Sequence, residues 1–282
     1  MTSLVPQVFC LRLFSSPVGK EGEMNNLQKT LEAIASSTYH FVALILLIVL
    51  AFVIGYVAET IARKKEIRET GSSEPMFSTR KIAIIGVFSA IAFVLMLFEF
   101  PLPFAPSFYK FDFSDMPALI GGFAAGPMVG VMIEFIKVTM NILIQGPTPG
   151  FVGEIANFVV GAAFIIPATI IYRFKKSRKS ALISCLVGTA CIMIVGSTLN
   201  AFFLLPAYAV AYGVDIDFFV AAGAEINPAI SNVFTFCALA VAPFNLLKGA
   251  ADSALTFLVY KQLSPILKGG VQSVRKDAVT QQ

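Results

Sequence analysis

The residues with the strongest claim to chemistry are amides and ammonium groups set inside long apolar runs. Asn245 and Lys248 stand at i, i+3 in the run that follows Pro243, a spacing that puts both on one helix face. Glu154 and Asn157 repeat that spacing just after the turn Gly146-Pro147-Thr148-Pro149-Gly150. Asn200 closes a run ahead of Pro206, and Tyr109-Lys110-Phe111-Asp112-Phe113 gathers aromatic and charged groups in one short segment. Amides offer donors and acceptors together, which suits a polar heterocycle or a polyol chain. The 27 phenylalanines, with no tryptophan, supply apolar faces for a flat ring. Polar groups inside such runs are costly in lipid and mark cavities or pathways. A lone asparagine also serves as a helix–helix hydrogen-bonding group, so Asn245 together with Lys248, a charge within a span, carries more weight than any single amide.

A second polar face holds Glu134 and Lys137 at i, i+3, with Asn141 beyond. A Glu/Lys pair at that spacing can neutralise itself, so its reading is structural. Lys248 and Asp252, at i, i+4, could pair in the same way. Gly122, Gly126 and Gly130 form a small-xxx-small ladder suited to close helix packing, and Gly86 with Ala90 forms a similar patch.

Other chemistry is excluded. The one histidine, His40, leaves no material for a triad or a zincin motif. No GxxxxGK[ST] loop is present, so the chain has no phosphate cradle of that kind for ATP. Cys10, Cys185, Cys191 and Cys237 show no ligand spacing and read as small hydrophobes rather than a disulfide framework. We expect no catalytic residue, no metal and no nucleic-acid partner; the chain is not an enzyme.

The elements that must position these groups follow from composition. The chain is 57% hydrophobic and 13% charged, with a mean hydropathy of +0.80. That is too apolar for a water-soluble surface, and a bilayer resolves the problem at roughly 20 apolar residues per helix. The expected fold is an all-α polytopic membrane bundle. A tail over residues 1–38 reads as disordered, with Met24 as an alternative start. An apolar span over 39–65 ends in Arg63-Lys64-Lys65, and a polar linker covers 66–78. A membrane domain fills 79–267, and a basic cytoplasmic tail, with Arg275 and Lys276, covers 268–282.

Basic loops stay in the cytoplasm. With Arg63–Lys65 and Arg80–Lys81 inside, alternation also places Arg173–Lys179 and the basic tail inside, after Lys261 and Lys268. The proline-rich segment after Pro101, the GPTPG turn and the stretch around Asp215 fall outside. Spans are expected near residues 39–62, 82–99, 116–125, 128–145, 151–172, 180–205 and 243–260. In this scheme Pro206 stops the sixth, and 230–242 is an external or re-entrant helix that does not cross. Seven spans result, with the N-terminus outside and the C-terminus inside. Asn200, Asn245, Lys248, Glu154, Asn157 and the Tyr109–Phe113 segment then share one outer layer, which reads as a pocket open to the exterior.

The run Lys110-Phe111-Asp112-Phe113-Ser114-Asp115-Met116-Pro117-Ala118-Leu119-Ile120-Gly121-Gly122-Phe123 resembles the first-loop signature of S components of energy-coupling factor (ECF) transporters. Residues 150–158, Gly-Phe-Val-Gly-Glu-Ile-Ala-Asn-Phe, and 243–249, Pro-Phe-Asn-Leu-Leu-Lys-Gly, resemble the riboflavin-specific members. The resemblance implies a six-helix core over about residues 79–267 that captures riboflavin from outside, with an additional N-terminal helix beyond the family pattern. It implies substrate contacts at Lys110, Phe111, Asp112, Phe113, Asn200, Asn245 and Lys248, and also at Glu154 and Asn157. It further implies docking through Gly86 and Ala90 on a transmembrane scaffold subunit driven by two ATPase subunits, and no cofactor, riboflavin being cargo. The readings that keep other classes open are another vitamin or a flavin precursor, a stand-alone secondary transporter, and an intramembrane enzyme using Glu134 or Glu154.

Overall fold

A computed structural model describes residues 38–106 and 108–259. The expectations for the N-terminal tail, for Cys10 and Met24, and for the basic C-terminal tail lie outside the described residues, as does the side chain of His40. Helix α1 covers Thr38–Thr70, α2 Thr79–Met96, α3 Asp115–Ala125 and α4 Pro127–Gln145. A 3-10 turn at Pro149–Phe151 leads into α5, Val152–Phe174. Helix α6 runs Arg178–Tyr212, α7 Ile216–Ile226 and α8 Val233–Val259. Two short strands, β1 at Phe100–Pro101 and β2 at Lys110–Phe111, pair antiparallel and fasten the α2–α3 loop.

Among the described residues, six helices (α1, α2, α4, α5, α6 and α8) are long and apolar enough to cross a bilayer. The chain is therefore a multi-pass membrane protein. The remaining expected span, α3, has 11 residues, about 16 Å at 1.5 Å per residue, half the hydrocarbon thickness. It is buried from Pro117 to Phe123, inside protein rather than lipid. Gly126, at φ +110°, turns the chain from α3 into α4. The expected close packing is present: a Cβ on Gly122 would lie 3.5 Å from the Gly130 Cα.

Three boundaries differ from the sequence reading. Helix α1 absorbs the basic cluster and the first five residues of the expected linker, because Glu66 to Thr70 are able helix formers. It stops only at Gly71, φ +80°. Pro206 does not end α6. The helix opens into a π turn at Asn200–Leu204, where the Leu205 N–H reaches back five residues to the Asn200 carbonyl. Widening the turn moves aside the carbonyl that the proline ring would strike, so the helix passes through. Cys237–Val241 does the same ahead of Pro243, with the Ala242 N–H bonded to the Cys237 carbonyl. The expected external helix over 230–242 is therefore overturned. Asn232 and Thr235 form a capping box at its start, and α8 is one continuous spanning helix. Asn245 and Lys248 consequently lie some three to four turns inside it rather than in its first turns.

The apolar core packs α3, α4, α5 and α6 around Leu119, Val129, Ile133, Phe164 and Ile192, with Phe123 stacked on Tyr172 at 4.4 Å. Helix α1 lies against α4 and α5, burying Leu44 and Ala51 beside Val131, Ile155 and Phe158. Its other side exposes Leu46, Val49 and Val53, as lipid permits. Long-range polar contacts sort the connections into two ends. One end collects residues 59–81, 126 and 173. The other collects 109–112, 148–153 and 200–208.

Candidate binding site

Lys248 on α8 anchors the second end. Its Nζ donates to Asp112 Oδ2 at 3.0 Å and lies 3.4 Å from Asp115 Oδ2. Lys137 on α4 donates to Asp115 Oδ1 at 2.7 Å and Ser114 Oγ at 3.0 Å, and also pairs with Glu134. Asp112 accepts from the Ser114 N–H at 2.7 Å. The loop before α3, the α3 N-terminus, α4 and α8 are thus laced by one buried chain of alternating charge. The Glu134–Lys137 pair is present, but Lys137 also crosses to α3. Lys248 does not neutralise itself against Asp252. Both Asp252 oxygens are buried without a hydrogen-bond partner, because the ammonium is turned toward the loop.

Beside this chain lies an aromatic nest. Tyr109 packs against Phe108, Phe236 and Phe244 with ring centroids 4.8, 6.2 and 5.4 Å away. Phe111 touches Phe113 and Phe244. The Tyr109 hydroxyl donates to Asn200 Oδ1 at 2.7 Å, and Asn200 Nδ2 donates to the Gly196 carbonyl at 2.8 Å. Burial first, and then Tyr208, hold the Tyr109 hydroxyl well above the usual phenol range, so it stays a neutral donor. Asn200 sits in the π turn, whose widened backbone re-aims it toward this loop.

Asn245 is 4% exposed, and its amide makes no hydrogen bond among the described residues while keeping a little accessible surface, unlike a sealed core amide. It faces Gly196, where an added Cβ would meet its Nδ2 at 2.8 Å. Buried amides rarely stay unpaired, since each such group costs about 1–3 kcal/mol. Asn157 Oδ1 and Asn141 Oδ1 are likewise buried and unpaired. They stand on α5 and α4, seven residues after and five residues before the 146–150 turn.

The other expected contacts fall elsewhere. Lys110 lies at the rim, paired with Glu99. Glu154 closes the GPTPG turn, accepting from the Thr148 N–H at 2.8 Å and the Thr148 hydroxyl at 2.7 Å. Gly86 and Ala90 are exposed on α2, away from the core. A cavity of about 330 Å³, lined by Phe104, Pro106, Ile230, Leu239 and Pro243, opens one turn nearer the start of α8 than Asn245. Its lining includes none of Asp112, Asn157, Asn200, Asn245 and Lys248. Tyr109 belongs to the pocket segment read from the sequence but not to the expected contacts, and the structure bonds it to Asn200. Its signal was a hydroxyl-bearing ring next to Lys110–Phe113, but only the fold reveals the Asn200 partner. No group of His, Cys, Asp and Glu among the described residues is placed to hold a metal ion.

Comparison with known proteins adds a pattern to this geometry. The family described as ECF transporter, substrate-specific component, matches residues 80–260, from α2 to α8 and without α1. The chain is similar to the riboflavin transporter FmnP of Bacillus subtilis (strain 168), 36% identical over 187 residues, which are 66% of this chain and 93% of that protein. It is similar to the riboflavin transporter RibU of Staphylococcus aureus (strain TCH60), 35% identical over 193 residues, 68% of this chain and 95% of that one. A solved S component of a bacterial ECF transporter superposes with a TM-score of 0.52 at 34% identity, covering 67% of this chain and 98% of its own.

Proposed function

The chain belongs to the family of substrate-specific components of ECF transporters, and we propose that it captures riboflavin for uptake driven by a scaffold subunit and two ATPase subunits. It is a transport component and not an enzyme; the flavin is cargo, not a cofactor. The observation that carries the ligand reading is the amide of Asn245, without a hydrogen bond among the described residues and next in sequence to Phe244, whose ring packs on Phe111 and Tyr109. A flavin ring has apolar faces and an edge of alternating donors and acceptors, which is what rings and amides together recognise. Asn200, Asn245, Asn157 and Asn141 are assigned to the polar edge and the ribityl hydroxyls.

Asp112 and Lys248 act on the loop. Their ion pair holds residues 108–113 over the amides, so a ligand must enter while that segment is lifted and is enclosed when the pair forms again. Tyr109 occupies part of the enclosed space in the free protein and gives up its bond to Asn200 when the flavin enters. Phe111 and Phe113 come down with the loop as a dry cover, while Lys110 and Glu154 support the rim and the 146–150 turn. Residues 79–267 form the substrate-binding unit, the exposed Gly86–Ala90 face of α2 meets the scaffold subunit, and the basic connections face the cytoplasm. On that orientation the N-terminus is outside and the C-terminus inside.

The test is direct. The purified full chain is titrated with riboflavin and flavin fluorescence is followed. Saturable quenching at micromolar concentration or below, with a yellow purified protein, is expected. Flavin that stays bright beside a folded protein would sink the assignment. A panel of flavin precursors and other vitamins, tried as competitors, then tests the choice of riboflavin.

A further inference from the structure

The opposite end of the bundle carries a second polar cluster that vitamin capture does not use. Glu59 on α1 accepts from Lys81 on α2 at 2.8 Å, both side chains being at most 2% exposed. Arg173 at the end of α5 donates to Glu66 at 2.8 Å and lies 3.9 Å from Glu59. Glu59, Arg63 and Glu66 share one face of α1 by their i, i+4, i+7 spacing, so Arg63 stands between the two acids that Lys81 and Arg173 occupy. The second Glu59 oxygen, Oε2, points to Gly126.

Arg63 itself is unmatched. Its Nε is buried without a partner, and the side chain makes no hydrogen bond or ion pair among the described residues. The Nε of Arg173 is buried and unpartnered too. Burial first, and then the like charge of Arg173, lower the pKa of Lys176 in the α5–α6 connection. Arg63 on α1 and Arg173 on α5 thus border the same two acids, Glu59 and Glu66, with donors to spare, and Lys176 stands exposed three residues after Arg173. Unpaired guanidinium donors held at a membrane surface match a phosphate group in both charge and geometry.

We infer that Arg63, Arg173 and Lys176 form a binding site for a phosphate-bearing anion, the headgroup of an anionic phospholipid in the cytoplasmic leaflet, completed by the additional helix α1. The cytoplasmic placement rests on the orientation argued above; the ligand chemistry does not depend on riboflavin. The role of α1 follows: it supplies Arg63, and the Glu59–Lys81 pair fixes it beside the α5–α6 connection.

The full chain in detergent, titrated with dihexanoyl phosphatidylglycerol and followed by native mass spectrometry, tests this. One tightly retained phosphatidylglycerol is expected, with dihexanoyl phosphatidylcholine bound much more weakly. Arg63→Gln, whose removal leaves no described partner unpaired, should weaken retention by about tenfold, the scale of one charge-assisted hydrogen bond. Lys176→Gln should weaken it less, and Arg63→Lys should restore part of it. Riboflavin quenching by Arg63→Gln should equal wild type, which certifies the fold separately. Inorganic phosphate that competes at equal concentration would support the site and assign it to a soluble phosphate ligand. Phosphatidylglycerol retention that ignores Arg63, or that phosphatidylcholine matches, would overturn it.

Discussion

The two ends of this bundle use the same device, a buried Lys–carboxylate pair, in opposite contexts. At one end Lys248 and Lys137 face Asp112, Asp115, Glu134 and Asp252, so acid is in excess and one carboxylate is left unpaired. One partner of Lys248, Asp112, lies in a loop held by a two-residue ladder, the Lys110–Glu99 pair and the Tyr109–Asn200 hydrogen bond rather than in a spanning helix. At the other end Lys81, Arg173 and Arg63 face Glu59 and Glu66, base is in excess, and every member sits on a spanning helix. Buried ion pairs add little net stability, yet breaking one by removing a single partner is expensive. The first cluster can therefore serve as a clasp on a movable cover, and the second as a fixed rivet.

Removing each lysine is the sharpest way to break that contrast, with the largest expected effect. Lys248→Met strips Asp112 and Asp115 of a shared cation and should destabilise the free protein by about 3–5 kcal/mol. It should also abolish riboflavin quenching, because nothing holds the loop down. Lys81→Met leaves Glu59 with only the more distant Arg173, so a loss of roughly 2–4 kcal/mol is expected, with riboflavin affinity unchanged. Thermal unfolding and flavin titration of both variants read the two effects separately. Equal loss of binding in both would show that the ends are not mechanically distinct.

Much of this was legible in the sequence. Apolar run lengths located the spanning helices, and the basic residues sorted their ends. The i, i+3 spacing of Asn245 and Lys248 put an amide and an ammonium inside one helix, and that ammonium meets Asp112 of the Lys110–Phe113 segment. What could not be read there was backbone accommodation. A proline in a hydrophobic run signals an end, yet a π turn ahead of Pro206 and of Pro243 lets both helices continue. The choice of ion partner was equally hidden. Local spacing offers Asp252 to Lys248, whereas the ammonium reaches a residue 136 positions away. Such pairings depend on where α3 is folded back, which Gly126 decides far from either residue.

Asn245→Ala sharpens the comparison at the level of the ligand. Because the amide is unpaired in the free protein, its removal should leave unfolding unchanged or slightly improved. Flavin binding should weaken by about 1–3 kcal/mol, the worth of a buried hydrogen-bonding group left without its partner. Unaltered affinity would remove Asn245 from the site. The reverse result, lost stability with intact binding, would make it an ordinary packing amide.

The smallest effect expected is also the most diagnostic of how the cover works. Tyr109→Phe deletes the hydroxyl bonded to Asn200 while keeping the ring among Phe108, Phe236 and Phe244. The free protein should lose about 0.5–1.5 kcal/mol, one neutral hydrogen bond. Riboflavin should bind more tightly by a similar amount, since it no longer competes with that hydroxyl for the Asn200 amide. A titration in which the variant binds more weakly would mean that the hydroxyl contacts the flavin itself. Tyr109 would then close on the ligand with the rest of the loop instead of giving way to it, and the free and bound loops would share one conformation.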